Sequence, residues 1–251
     1  MTAESYATAA GLIERSAAAY VSGVPERPAD DGFFGPASVT WKMSADLGGP
    51  VAGLRSLMMQ ALHPLAMAGV DQHSTWRQDP VGRLAAISAY LATISFGERA
   101  AAEQAAARVR RIHTHVRGVD EITGGPYEAS DPALLLWIHA ALVESALAVR
   151  GLFGTPVSPQ DADRYVAEMV IEAELVGVPA GLAPSSTAEL EAYLASVLCW
   201  STPAIASGCS ACIISDRRPA TGPPRSALIF QVTLAGPKNP SSAGRSGTPD
   251  T

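Results

Sequence analysis

The sequence predicts an all-α protein: a single globular multi-helix domain with central buried helices and an irregular C-terminal tail. Apolar residues recur at the three- and four-residue spacing that places them on one face of a helix. In the clearest stretch they are Leu54, Leu57, Met58, Ala61 and Leu62. Asp-Pro or Ser-Pro pairs open three further stretches, where the first residue can cap a helix and the proline fits its first turn. No alternating strand pattern occurs between residues 40 and 200.

The helix boundaries follow from these pairs and from a few other capping residues. Asp79, Asp131 and Ser158 are the predicted caps before prolines, and Ser186 begins a capping-box pattern. Gly118 is the predicted stop of the longest charged helix. The predicted helices cover about 4–20, 51–62, 81–95, 98–117, 132–149 and 159–175, with a last one beginning near 187.

Three regions of different character divide the chain. Residues 1–32 are predicted to form an N-terminal helix and a linker, and residues 33–200 are predicted to form the helical domain. Residues 201–251 lose the helical pattern and are rich in Pro, Ser and Gly, which is typical of a flexible tail. A second interpretation of this tail is that it is translated from an altered reading frame.

Composition excludes several classes of protein. The chain carries a net charge of −6 and lacks a basic stripe with interleaved aromatic residues, which argues against a nucleic-acid partner. Its three cysteines, Cys199, Cys209 and Cys212, are too few and too clustered for a secreted disulfide framework. The N-terminus has no basic region followed by an apolar core, so no signal peptide is expected. The most apolar stretch, Leu134–Val149, is too short to span a bilayer, so we expect a cytoplasmic protein without a transmembrane segment.

One of the five histidines, His113, stands out on its helix. Arg110 precedes it by three residues and Arg117 follows it by four, so on a helix over 98–117 all three would project from one side. An imidazole between two guanidinium groups suits a metal held in a dianionic macrocycle. Haem provides that pairing, because its iron needs an axial base and its propionates need cations. The alternative is that both arginines face solvent.

Five segments resemble one known family of helical proteins, DUF2236, which includes the catalytic domain of the rubber oxygenases (latex clearing proteins) and the MpaB-type oxygenases. The resemblance covers about residues 33–200 in the family's order. The segments are ALHPLAMAGVDQHS, DPVGRLAAISAYLATISFG, RVRRIHTHVRG, YEASDPALLLWIHAALVES and DADRYVAEMVIEAELVGVP.

The resemblance implies a haem b cofactor held around one element. In the rubber oxygenases an Arg-x-x-His-x-x-x-Arg element supplies the axial ligand and its arginine neighbours. Here it reads Arg110 to Arg117. The implied roles are His113 as the ligand of the haem iron, and Arg110 and Arg117 as partners of the propionates.

The segment implied to face the open side of the haem departs from the family pattern. Those enzymes carry Arg-x-x-Lys-Thr there, together with a carboxylate base. This chain keeps Arg83 but has Ala86 and Ile87 in place of Lys and Thr, and it has no Glu in the HPLAMAGVDQHS stretch. We therefore expect dioxygen or peroxide chemistry on a small apolar substrate other than polyisoprene, with Arg83 and His73 as the candidate catalytic residues.

The remaining histidines have two interpretations each. His63 precedes Pro64 at a helix break, where it would either bind an exposed carbonyl or face the haem site. His139 lies in an apolar helix, where it would either be a core residue kept neutral by burial or support the haem site. His115 points away from His113 and is expected to be exposed.

Carboxylates suggest two further possibilities. A non-haem metal site could use His63, His73 and Asp71. Glu168 and Glu172 could share a helix face, but the sequence lacks the Glu-x-x-His motifs of di-iron bundles, so an exposed ion-pair face with Arg164 is the preferred interpretation.

The sequence thus predicts a haem b-dependent oxygenase-like or peroxidase-like oxidoreductase. The alternatives are a non-haem metal enzyme built on His63 and His73, and a helical module that binds haem or another ligand without catalysis. The sequence does not indicate an oligomeric state.

Overall fold

Eight helices and one small hairpin form the part of the chain that the structure, a computed structural model, describes: residues 30–46, 48–153 and 156–200. In order, the elements are α1 (Val39–Ser44), α2 (Gly49–Gln60), α3 (Pro64–His73), α4 (Pro80–Phe96), α5 (Arg99–His113), β1 (Arg117–Val119), β2 (Pro126–Glu128), α6 (Pro132–Phe153), α7 (Pro159–Val176) and α8 (Thr187–Trp200). The all-α class is confirmed. The helix predicted over 4–20 and the tail from 201 onward lie outside the described residues.

Three of the predicted helix starts are confirmed by their capping hydrogen bonds. The Asp79 carboxylate accepts from the backbone N–H of Gly82 at 2.8 Å, ahead of α4. The Ser158 hydroxyl accepts from the N–H of Asp161 at 3.1 Å, ahead of α7. Asp131 does the same for Ala133 at 2.8 Å, ahead of α6. These bonds satisfy N–H groups that have no partner inside the helix.

The central helix is α6, as its apolar sequence predicts. Its side chains at Trp137, Ala140, Ala141 and Val143 are at most 1% exposed, and it packs most extensively against α2. The helix is longer than predicted, with 22 residues over Pro132–Phe153. Among the described residues it is the one helix long and apolar enough to cross a membrane, and 56% of its most apolar window is buried inside the protein.

The prediction that one apolar face of α2 is buried is wrong. Leu54, Met58 and Leu62 are 49%, 46% and 44% exposed. The buried residues of α2 are instead Arg55, Ser56 and Met59. Arg55 is buried because its guanidinium forms a bidentate ion pair with Glu144 of α6, and this pair sets the rotation of α2 about its axis.

The helix predicted over 98–117 ends early, at His113. The chain then forms β1, which pairs antiparallel with β2 so that Gly118 lies opposite Tyr127. The prediction that no strand occurs between residues 40 and 200 is therefore wrong for these six residues. Gln72 of α3 holds the hairpin in place, because its side chain donates to the carbonyl of Val119 at 3.0 Å and accepts from the Tyr127 hydroxyl at 2.7 Å. These tertiary contacts outweigh the local helical propensity of the segment.

The exposed ion-pair face predicted for α7 is also wrong. The carboxylate of Glu168 accepts from the backbone N–H groups of Val39 and Thr40 at 3.3 and 2.7 Å, and so caps α1 from a different helix. Glu172 is 4% exposed and faces the interior.

Candidate functional site

A cavity of about 430 Å³ lies between α3, α4, α5, α6 and α7. This volume falls in the range of about 300–1,000 Å³ that is common for small-molecule sites. Most of its wall is apolar and includes Val70, Ile87, Leu91, Val109, Leu135 and Ile138. Besides Gln60 and Tyr127, two groups of polar side chains interrupt this wall. We call His73, Ser74, Arg83 and His113 the outer polar set, and Tyr90, His139 and Glu172 the inner polar set.

His113 lies at the end of α5, on the cavity wall. Its Nδ1 is buried and has no hydrogen-bond partner among the described residues. Burial lowers the pKa of His113, and the positive charge of Arg83 lowers it further. The imidazole is therefore neutral at physiological pH, with a nitrogen lone pair available to a ligand.

Arg83 supplies the positive charge of the outer polar set. It extends from the first turns of α4 and donates from Nη1 to the Ser74 hydroxyl at 3.1 Å. Burial lowers its pKa, and no carboxylate of the described residues forms an ion pair with it. A partly buried guanidinium without a carboxylate can bind an anionic group of a ligand.

His73 also lines the cavity, but it is exposed and already has a partner. Its Nε2 lies 3.2 Å from the backbone carbonyl of Arg117, so the ring helps to attach the hairpin to α3. The structure thus brings three of the predicted site residues, His73, Arg83 and His113, to one end of the same cavity.

The inner polar set is a hydrogen-bonded group on three helices. His139 Nδ1 of α6 lies 2.7 Å from Oε2 of Glu172 on α7, and the Tyr90 hydroxyl of α4 donates to Oε1 of the same carboxylate at 3.3 Å. His139 and Glu172 are 3% and 4% exposed. Burial and the Glu172 charge raise the pKa of Tyr90, so its hydroxyl keeps its proton. His139 is both buried and on the cavity wall, a position that is consistent with both of its predicted roles.

Three predicted cofactor residues lie elsewhere. Arg110 is exposed, and its guanidinium donates to the backbone carbonyl of Leu175. Arg117 is exposed on β1, so the predicted one-sided trio with His113 does not form, because the helix that would align them ends at His113. His63 occupies the N-cap position of α3 without a capping hydrogen bond from its side chain, and its buried Nδ1 has no hydrogen-bond partner among the described residues. Its ring packs 6.0 Å from that of Trp137, outside the cavity wall.

The donors of the alternative non-haem site are not assembled. Asp71 already accepts from Arg77 at 2.7 Å and from Trp76 at 3.1 Å. Within the described ranges, no three side chains of the His, Cys, Asp or Glu types come together in a way that could hold a metal ion.

Sequence reasoning identified His139 of the inner polar set but missed that Glu172 and Tyr90 join it. The signal for Glu172 is its position on the buried stripe of α7, three residues after Met169 and four before Val176. An acidic residue on such a stripe has to find a buried partner, and the partner here is His139. The signal for Tyr90 is its spacing of seven residues from Arg83, which places both side chains on one face of α4.

Fold and cavity together define a class: an all-helical protein that presents a neutral imidazole and a guanidinium to an apolar ligand cavity. Comparison with known families identifies the particular one, because residues 41–238 match the family described as ER-bound oxygenase mpaB/B'/Rubber oxygenase, catalytic domain. The chain belongs to this family of oxygenase catalytic domains, which confirms the resemblance found in the sequence. The match begins in α1 and continues past α8 into residues 201–238. No curated protein and no solved structure matches the chain.

The residues of the cavity fit the cofactor used by the rubber oxygenases. Haem requires an imidazole for its iron, cations for its two propionates and an apolar lining for its ring. The cavity offers the unpartnered His113, the unpaired Arg83 and a wall of aliphatic side chains. Among the described residues, Arg83 is the one guanidinium on the cavity wall. A cation for the other propionate would therefore come from a side chain that lies outside the wall.

Proposed function

We propose that the chain is a haem b-dependent oxygenase-like or peroxidase-like oxidoreductase that acts on a small apolar substrate with dioxygen or peroxide. The observation that supports this most directly is the half-buried imidazole of His113, which lines the apolar cavity together with Arg83 and whose buried Nδ1 has no hydrogen-bond partner among the described residues. When bound, haem would supply the iron that binds and activates oxygen.

The chain's own residues would have three tasks. His113 would hold the iron through its neutral imidazole, which burial and Arg83 keep unprotonated. Arg83 would neutralise negative charge next to it, fixed in place by Ser74. The aliphatic wall would exclude water and bind the substrate through apolar contact.

The roles of Arg110 and Arg117 remain predictions. For Arg110 to reach a propionate, its guanidinium has to exchange the carbonyl of Leu175 for the cofactor. For Arg117, the side chain has to turn from the exposed face of β1 towards the cavity.

The decisive experiment is an absorption spectrum of protein expressed with a haem precursor. A Soret band is expected in the wild type and in His115→Ala, because His115 is exposed and bonds only to Thr114 and to the backbone carbonyl of Arg111. His113→Ala is expected to lose the band or shift it strongly. A wild-type protein without haem, or a spectrum identical in the His113 variant, would contradict the proposal.

A second candidate is a helical protein that binds haem without catalysis. The observation that favours it is the pair Ala86 and Ile87 on the cavity wall, because neither side chain can donate a proton or bind oxygen. Bound haem with no oxygen or peroxide turnover on any of a set of apolar substrates would support this candidate.

A further inference from the structure

The inner polar set is a second group of polar side chains on the cavity wall, and it does not include His113 or Arg83, the residues proposed to hold the haem. We propose that it binds the hydroxyl group of an otherwise apolar substrate, which donates a hydrogen bond to Nε2 of His139. The inference rests on the proposed function for its setting, and it adds the chemical class of the substrate: a neutral alcohol with an aliphatic body.

The first argument is the orientation of His139. In the neutral imidazole, the 2.7 Å hydrogen bond to Glu172 places the proton on Nδ1 and leaves the lone pair on Nε2. That second nitrogen makes no hydrogen bond with the described residues, and the ring is part of the cavity wall. A side chain that is 3% exposed therefore presents an acceptor to the cavity.

The second argument is that burying the inner polar set is a costly way to stabilise the core of the protein. A buried carboxylate carries a desolvation penalty of several kcal/mol, and apolar side chains of similar volume often serve a core equally well. Among the described residues, Glu172 has two hydrogen-bond partners, His139 and the more distant Tyr90 at 3.3 Å. Buried polar groups that converge on an otherwise apolar pocket are the usual means of orienting a ligand.

The third argument is the position of the set relative to His113 and Arg83. Tyr90 follows Arg83 by seven residues on α4, which separates the two by about 10 Å along the helix axis. Ala86 and Ile87 lie between them and both line the cavity. An aliphatic chain anchored at the inner polar set would pass these two residues on its way to the outer polar set.

The charge of the set selects the anchoring group. The Glu172 carboxylate repels a carboxylate ligand, and the Tyr90 hydroxyl already donates its hydrogen bond to Glu172. A ligand group that only accepts hydrogen bonds therefore finds no donor, whereas a hydroxyl can donate to His139. Sites built to bind a ligand hydroxyl discriminate strongly against analogues that lack the donor.

The test compares two probes of equal size on the protein purified with its haem, by isothermal titration calorimetry. The probes are n-octanol and heptyl methyl ether, because the ether keeps the oxygen and the number of heavy atoms but cannot donate. We expect n-octanol to bind at least about ten-fold more tightly than the ether, which corresponds to one hydrogen bond to a buried group. Equal affinities, or tighter binding of the ether, would overturn the proposal without any variant.

Variants test whether the preference for n-octanol over the ether arises at His139. His139→Phe removes the acceptor and is expected to abolish the preference for n-octanol while the ether still binds. Glu174→Gln is the matched control, because Glu174 is exposed on the same helix as Glu172, and it is expected to keep the full preference. Glu172→Gln is expected to weaken the preference, since an amide no longer fixes the imidazole proton on Nδ1. A preference that persists in a folded His139→Phe protein would place the hydroxyl site elsewhere.

A spectroscopic measurement separates binding from a purely structural role. The ¹⁵N resonance of His139 Nε2 is expected to move on addition of n-octanol, and to stay unchanged with the ether. The haem spectrum of the same preparation reports the proposed function independently. A protein without a Soret band that still prefers n-octanol refutes only the cofactor, and a haem protein without the preference refutes only this inference.

Discussion

Arg55 of α2 and Glu144 of α6 form a bidentate ion pair in the interior, with side chains that are 9% and 12% exposed. Arg55 also donates to the Ser145 hydroxyl at 2.8 Å. This pair joins the two helices that pack most extensively against each other. It therefore fixes which face of α2 is buried.

Removal of one partner of this ion pair is expected to destabilise the protein strongly. Glu144→Ala leaves the Arg55 guanidinium buried without a counter-charge, which costs about 3–5 kcal/mol of unfolding free energy. The double variant Arg55→Met with Glu144→Leu replaces the pair with apolar side chains and is expected to recover most of that loss. Urea denaturation of the three proteins measures both effects. If the single variant loses less than about 1 kcal/mol, the pair does not hold α2 against α6.

A side chain at Gly118 is expected to destabilise the protein. A Cβ at this position would lie 2.8 Å from both Oε1 of Gln72 and the hydroxyl of Tyr127, whose hydrogen bond attaches the hairpin to α3. Gly118→Ala should therefore lower the free energy of unfolding by about 1–3 kcal/mol. Gly151→Ala is the control: nothing lies within 4 Å of its added Cβ in α6, so this change should be neutral or stabilising by up to about 1 kcal/mol. Thermal unfolding compares the two, and equal effects would show that the close approach at Gly118 is not a constraint.

Local signals predicted most of the fold. The caps at Asp79, Asp131 and Ser158 lie next to the helices they start, so sequence alone places them. The rotation of α2 was not predictable in this way, because burial of the apolar stripe at 54–62 and burial of Arg55 require different faces of the helix to point inward. The ion pair with Glu144, 89 residues away, decides between them.

In the candidate site, too, local signals were predictable from the sequence and contacts between distant residues were not. His73, Arg83 and His113 were found from their residue types and from the family pattern, and the cavity contains all three. The predicted alignment of Arg110, His113 and Arg117 assumed a helix through 117, and that helix is wrong because Gln72 and Tyr127 hold the segment in a hairpin. The pairing of His139 with Glu172 joins positions 33 residues apart on different helices, and helix periodicity carries no information about such a contact.

The stability of the protein purified without haem precursor is expected to fall as the pH drops below about 6.5. Burial lowers the pKa values of His113 and His63 below their ordinary value of 6.5, so below that pH the unfolded chain binds protons that the folded protein does not. Each histidine contributes a slope of at most about 1.4 kcal/mol per pH unit. Urea titrations across this range should show a smaller slope in His113→Gln and in His63→Gln. The exposed His115→Gln should leave the slope unchanged, and unaltered slopes in all three variants would contradict the expectation.

Removal of the Arg83 charge is expected to raise the pKa of His113. The guanidinium is one of two causes that lower this pKa, and Arg83→Met keeps the other, burial. NMR titration of the ring protons measures the change, with Arg77→Met as the control because Arg77 is exposed and paired with Asp71. A pKa of His113 that is the same in Arg83→Met and in the wild type would show that the two side chains do not interact.

The same variant links that titration to cofactor binding. A higher pKa protonates a larger fraction of His113 just below neutral pH, and a protonated imidazole has no lone pair for iron. Haem bound by the Arg83→Met protein should therefore be released at a higher pH than haem bound by the wild type, as followed by the Soret band during acid titration. Loss of haem from both proteins at the same pH would mean that Arg83 acts on the cofactor directly, or not at all, rather than through the protonation of His113.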